Sequence, residues 1–228
     1  MLLRIARAAI ATKDAVRAAD LAESLLARGA AADAHQVLGD AHYLRLEQIP
    51  AVEEWHKALK ADPKHVPALR SLAGFSWDRE NHEVAERYLR EALEVEPADP
   101  EILFQHGRAL FHLKRYPESE ADLVKVLLAK GESGAPVALY YLGLIQKGKG
   151  NLAGASEFLG RYLQWAYQQG TPTAMEAEVH LVLAEIYSAL GFPGPAKEQK
   201  EAGEALRKWL EERARSREKA AMEMLARP

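Results

Sequence analysis

A 34-residue period runs through the first half of this chain and constrains its fold more than any other feature. Leu38-Gly39, Ala51, Trp55, Ala58 and Pro63 return 34 residues later as Leu72-Ala73, Ala85, Leu89, Ala92 and Pro97. A further 34 residues on stand His106-Gly107, Ser119, Leu123, Val126 and Gly131. Self-similarity at this period marks a stacked array in which each unit buries its apolar face only against its neighbours. Apolar residues three and four apart within each half-period predict helices, not strands. The small residues (Gly39, Gly107, Gly143, Ala51, Ala58, Ala85) are expected where two helices of a hairpin cross, and Leu38, Trp55, Leu72, Leu89 and Leu123 fill the space beside those crossings.

The residues at these offsets resemble the tetratricopeptide repeat: Leu-Gly at positions 7 and 8, Ala at 20, an aromatic at 24, Ala at 27 and Pro at 32. With Ala32 as position 1, the first repeat spans 32–65, the second 66–99 and the third 100–133. A fourth, divergent repeat spans 136–169, carried by Leu139, Leu142-Gly143, Ala155 and Leu159. A fifth spans 177–210, carried by Leu183-Ala184, Tyr187 and Ala196. The resemblance covers about three-quarters of the chain. It implies an all-α protein, a right-handed superhelix (α-solenoid) of about ten to thirteen helices in antiparallel pairs, forming one continuous domain.

Proline provides an independent check on the register, because it is tolerated in a helix's first turn or between helices but not inside. Pro50, Pro117 and Pro195 fall where second helices of hairpins begin; Pro67, Pro100 and Pro136 fall where first helices begin. Pro63, Pro97, Pro172 and Pro193 are expected in connections. Residues 1–31 read as a degenerate helical pair, with Thr12 or Asp14 as cap and Gly29 as stop. Breaks are expected at Gly131–Ala135 and Gln168–Thr173. From Pro195 the pattern stays helical to about Ala226, with charges of alternating sign from Lys197 to Glu212, and residues 211–228 read as a helical extension. Leu206, Trp209 and Leu210 are expected to cover the last repeat before the helix runs into solvent.

Composition narrows the function. A formal net charge of −3 without a long basic run argues against nucleic acid as partner. The absence of cysteine removes disulfides, thiolate chemistry and cysteine-based metal sites. No stretch is long and apolar enough to span a bilayer. Arg4 and Arg7 interrupt the apolar N-terminus, which reads as a helix on the first repeat and not as a targeting segment. A cytoplasmic location is expected, and a periplasmic or envelope location if an upstream leader has been removed.

The eight histidines carry no HExxH or comparable ligand spacing. His35, His180, His106 and His42 occupy packing positions of the repeat. The carboxylates belong to charged helix faces, so neither a catalytic residue, a metal site nor a cofactor is predicted, and the chain reads as a non-enzyme.

The resemblance implies a concave surface lined by the first helix of each repeat, at positions 2, 5, 9 and 12. Its middle is aromatic and basic, and the partner-binding candidates are Tyr43, Arg70, Trp77, Phe104, Arg108, Phe111, Tyr140 and Lys147. Aromatics beside arginine are enriched at binding hot spots. Some family members clamp a C-terminal carboxylate with Lys and Asn; here those places hold Gln36, Asp40, Ser71 and Gly74, and Asp40 would repel it. The expected function is a scaffold or adaptor holding a protein or peptide segment, apolar with acidic residues. A cell-envelope assembly factor, resembling tetratricopeptide lipoproteins of pilus or secretion machinery, and a docking subunit of an enzyme complex are the alternatives. Self-association is left open.

Overall fold

The computed structural model describes residues 1–225, with side chains described as far as Met222. The last three residues of the expected C-terminal extension lie outside the described residues. Among the described residues there are twelve α-helices and no strand. The chain forms two compact units, the first Met1–Val126 and the second from Leu127 onwards.

The first unit contains α1 (Leu2–Ala11), α2 (Ala15–Leu26), α3 (Ala31–Leu44), α4 (Gln48–Ala61), α5 (Val66–Trp77), α6 (His82–Val95), α7 (Pro100–His112) and the first part of α8 (Tyr116–Gly134). Successive helices pair as hairpins. The reason lies in the crossings. A Cβ added at Gly107 would sit 3.1 Å from Leu123 Cγ and 3.3 Å from the Ser119 carbonyl. At Gly39 it would run into the Trp55 indole and lie 3.0 Å from the Ala51 carbonyl. At Gly39 only a missing side chain allows the approach, and at Gly107 a side chain would push Leu123 aside by a few tenths of an ångström. Ala6, Ala9, Ala18, Ala22, Leu25, Ala34, Val37 and Ala41 form one core cluster between α1, α2 and α3. Val66, Leu69, Ala73, Leu89, Ala92, Ile102 and Ala109 form another between α5, α6 and α7.

The turns inside the hairpins are built alike. Lys13, Leu46, Glu80 and Lys114 all adopt a left-handed conformation, with φ between 59° and 63°. Each stands two residues before the start of the second helix of its pair, so the α1–α2 pair turns as the later pairs do. Asp14 caps α2 by accepting from the Arg17 amide at 3.1 Å. Thr12 instead closes α1, its hydroxyl donating to the Ala8 carbonyl at 3.0 Å. Asn81 and Asp99 cap α6 and α7 through the same side-chain-to-amide bond.

The second unit contains α9 (Pro136–Gly148), α10 (Leu152–Gln169), α11 (Ala174–Ala189) and α12 (Pro193–Leu225). Gly131, at φ 69° and ψ 173°, interrupts α8, and Gly170 ends α10 in the left-handed region at φ 67°. Both fall inside the expected breaks. Gly143 lets α9 and α10 cross: a Cβ there would lie 2.6 Å from Leu159 Cγ. Gly203 does the same for α11 and α12, at 2.8 Å from Leu181 Cγ.

Two expectations are corrected. Pro193 is the first residue of α12 and not part of a turn, which its fixed φ and missing amide allow. Trp209 does not cover α11. It is 40% exposed, and the Arg213 guanidinium lies 4.9 Å from its ring centroid. Buried Gly203 and half-buried Leu206 and Leu210 form the inward stripe, three and four residues apart, and Trp209 falls beside it. From Glu211 to Met222 every residue is exposed.

Candidate functional site

In the first unit the first helices of the hairpins, α3, α5 and α7, carry a continuous set of polar and aromatic contacts. Asp40 on α3 accepts from Trp55 Nε1 at 2.9 Å, from Ser71 Oγ on α5 at 3.0 Å and from the Gln36 amide. One turn further, the Tyr43 hydroxyl donates to Asp78 at 2.6 Å. Arg108 on α7 places its guanidinium 3.7 Å from the centroid of the Trp77 ring. These rungs enclose a cleft of about 300 Å³, walled by Tyr43, Phe75, Trp77 and Arg108 with Gly74 and Gln105 between them.

Burial pushes the Asp40 carboxyl above its ordinary range, although its three hydrogen bonds pull the other way. The hydrogen bond to Asp78, then burial, raises the Tyr43 hydroxyl. Behind Trp77 stand His82 and His112, at 4.6 Å and 5.1 Å between ring centroids. Burial holds the His112 imidazole below its usual value, and the nearby His82 and Arg108 charges add to the effect.

Tyr43, Trp77 and Arg108, three of the sequence candidates, line this one cleft. Arg70 lines an adjoining opening with Arg7, Glu96 and the shared residues Ser71 and Gln105. Phe104 is half-buried with Arg108 5.8 Å from its ring, and Phe111 packs on Tyr116 and His112. The remaining candidates belong to the second unit and are engaged within it. Tyr140 is 6% exposed and donates to Glu178 on α11 at 2.7 Å; burial, and then this bond, push its hydroxyl far above the ordinary range. Lys147 pairs with Glu185, also on α11. Tyr140 is therefore a packing residue where an exposed anchor was expected.

Phe75, Asp78 and Gln105 were not among the sequence candidates. Asp78 stands four residues after Gly74 on the same helical face, and that spacing is the signal that would have found it. A larger depression of about 950 Å³ in the second unit lies between α11 and α12, lined by Glu178, Leu181, Glu185, Lys197, Lys200 and Arg207 among others. Two of its lysines pair within α12, Lys197 with Glu201 at 3.8 Å and Lys200 with Glu204 at 3.9 Å. It holds no aromatic anchor, so the smaller cleft is the stronger candidate.

His106 Nδ1 lies 2.6 Å from Asp122 and its Nε2 lies 3.6 Å from Glu86, while buried Ser119 donates to the Gly107 carbonyl at 2.6 Å and not to a histidine. Among the described residues no group of three His, Asp or Glu side chains is placed to hold a metal. No described helix is long and apolar enough to cross a membrane.

The paired helices have the tetratricopeptide-repeat fold. Neither a family model nor a curated protein matches the chain. Solved structures do. MamA superposes with a TM-score of 0.65 at 18% identity, covering 77% of this chain and 97% of its own. PilW, a widely conserved type IV pilus biogenesis factor, gives 0.67 at 19% identity, covering 90% and 91%. YrrB, a TPR protein with an unusual peptide-binding site, gives 0.58 at 22% identity, covering 72% and 84%.

Proposed function

We propose that this chain is a non-enzymatic interaction scaffold that holds a segment of a partner protein on the α3–α5–α7 face of its first unit. The observation that carries the reading is the cleft between Tyr43, Phe75, Trp77 and Arg108. Rigid aromatic and guanidinium groups, already tied to one another, lose little freedom when a partner arrives, so more of the contact energy appears as affinity. Cationic Arg70 and Arg108 favour a segment with acidic residues beside its apolar ones. The likeness to a TPR protein with a peptide-binding site supports the same reading. The repeat boundaries at 32, 66, 100, 136 and 177 are the parsing proposed with it.

The test is an affinity capture with the intact chain, read by mass spectrometry, followed by calorimetric titration of the captured protein. A partner whose affinity falls for Trp77→Ala and for Arg108→Glu supports the reading. Full affinity in both variants overturns this face as the site.

The likeness to PilW over nine-tenths of both chains favours a second reading, an assembly factor of the cell envelope. Fractionation of cells carrying the tagged natural gene tests it. Exclusive recovery with the cytosol removes this second reading.

A further inference from the structure

Gly74 is a glycine that packing does not require. Gly39, Gly143 and Gly203 each face neighbouring atoms that leave no room for a Cβ, and at Gly107 a Cβ would crowd Leu123 at 3.1 Å. A Cβ at Gly74 would meet nothing within 4 Å, and its backbone is helical. It stands in the middle of α5, where glycine is the poorest helix former after proline. Openness alone is not the argument, since Gly160 in α10 is equally open. Gly74 differs in its surroundings. The Ser71–Asp40 bond lies one turn before it and the Asp78–Tyr43 bond one turn after, with Trp77 and Arg108 as the far wall. The missing side chain is part of the 300 Å³ space that these groups enclose.

We infer that the space over Gly74 is a subsite for one large apolar side chain (Leu, Met or Phe) of an extended peptide whose neighbouring acidic residue meets Arg70. This rests on the proposed scaffold reading and specifies its ligand. The walls are aromatic and the volume suits a single large side chain. The charges set the direction. Arg70 is half-buried, makes no hydrogen bond or ion pair among the described residues, and lies on the same face of α5 one turn towards its N-terminus. Four helical residues advance about 6 Å, which one to two residues of extended chain span. At the other end of the cleft Asp78 accepts from Tyr43 and the Arg79 guanidinium lies 4.2 Å from the Phe75 ring, so a carboxylate and a cation there offset one another, and Arg70 is the unpaired cation beside the space. The motif is therefore a large apolar residue with Asp or Glu one or two positions away, on the side that meets Arg70.

The experiment pans a phage-displayed dodecapeptide library on the intact chain and measures synthetic versions of the enriched peptides by titration. The expected result is enrichment of that motif. Gly74→Leu should weaken binding roughly tenfold or more while melting no lower than the parent. Arg70→Glu should weaken acidic peptides and spare their amide counterparts. Enriched peptides that bind Gly74→Leu with parental affinity but fail on Trp77→Ala overturn the subsite and leave the scaffold reading standing. Failure to enrich any peptide that depends on Trp77 overturns both.

Discussion

The guanidinium of Arg108, on α7, lies over the indole of Trp77, on α5, 3.7 Å from the ring centroid. One contact thus joins two successive first helices of the array and builds one wall of the cleft. A cation over an indole face contributes about 0.5–1 kcal/mol where partly exposed. In a double-mutant cycle of Trp77→Ala and Arg108→Ala, the coupling read by urea denaturation should fall in that range. Zero coupling would mean that the two side chains are placed by their own helices and not by each other.

Trp77 also packs against the cluster that contains Leu69, Leu89 and Ile102. Trp77→Ala should therefore cost roughly 2 kcal/mol of stability, below the range for a fully buried aromatic. The variant should stay folded, and its loss of partner affinity, about 2 kcal/mol or more, is to be measured on folded protein. Circular dichroism melting separates the two effects.

Glycines in the same repeat architecture should respond with opposite signs. Gly143→Ala places a Cβ 2.6 Å from Leu159 Cγ and should destabilise by roughly 1–3 kcal/mol through overpacking. Gly74→Ala meets nothing and should stabilise by up to about 1 kcal/mol through helix propensity. Equal shifts in melting temperature would contradict the crossing geometry.

Leu46 holds φ at 63° while 84% exposed, so its backbone is strained and its side chain gains little from burial. Leu46→Gly should raise stability by roughly 0.5–1 kcal/mol, the relief of the left-handed conformation less the greater entropy of unfolded glycine. Chemical denaturation measures it; a loss would show that Leu46 is held by contacts in the assembled protein.

His112 carries the pH dependence near the cleft. Burial, with His82 and Arg108 nearby, lowers its folded pKa below the ordinary 6.5. The unfolded chain then binds the proton more readily, so stability is full above that value and falls as the pH drops from it towards the folded pKa. His112→Gln should flatten the change in melting temperature between about pH 7.5 and pH 5.5. An unchanged slope would assign the dependence to other groups.

Deleting the residues after Arg215 should leave the melting temperature unchanged, because Glu211 to Met222 are exposed throughout. Gly203→Leu should lower it sharply and Trp209→Ala little, since a Cβ at Gly203 would lie 2.8 Å from Leu181 Cγ and 3.0 Å from the Ala177 carbonyl. A deletion that lowers melting in a concentration-dependent way would reveal a contact between copies.

By itself the sequence determined the helical hairpins. Their period follows from backbone geometry and from steric exclusion at Gly39, Gly107 and Gly143, and both are local properties that leave a mark at fixed spacing. Proline reported the same register through its missing amide, with Pro193 misread only because turn and first helical turn tolerate it equally. The side-chain arrangement was a matter for the tertiary structure. Tyr43 and Tyr140 both fall at groove-facing positions of the repeat and both donate to a carboxylate of the next first helix, Asp78 and Glu178, yet Tyr43 is 37% exposed on a cleft and Tyr140 only 6% exposed. Their surroundings come from groups 31 to 38 residues away on the next first helix, as in Ser71 with Asp40 and Tyr140 with Glu178. Which rotamer a residue adopts depends on the charge and hydrogen-bonding capacity of that distant neighbour, and a period shared by all repeats carries no record of it. The same holds for Trp209: helical spacing made it apolar in the right region, but only the position of α11 decided that Gly203, Leu206 and Leu210 face inward.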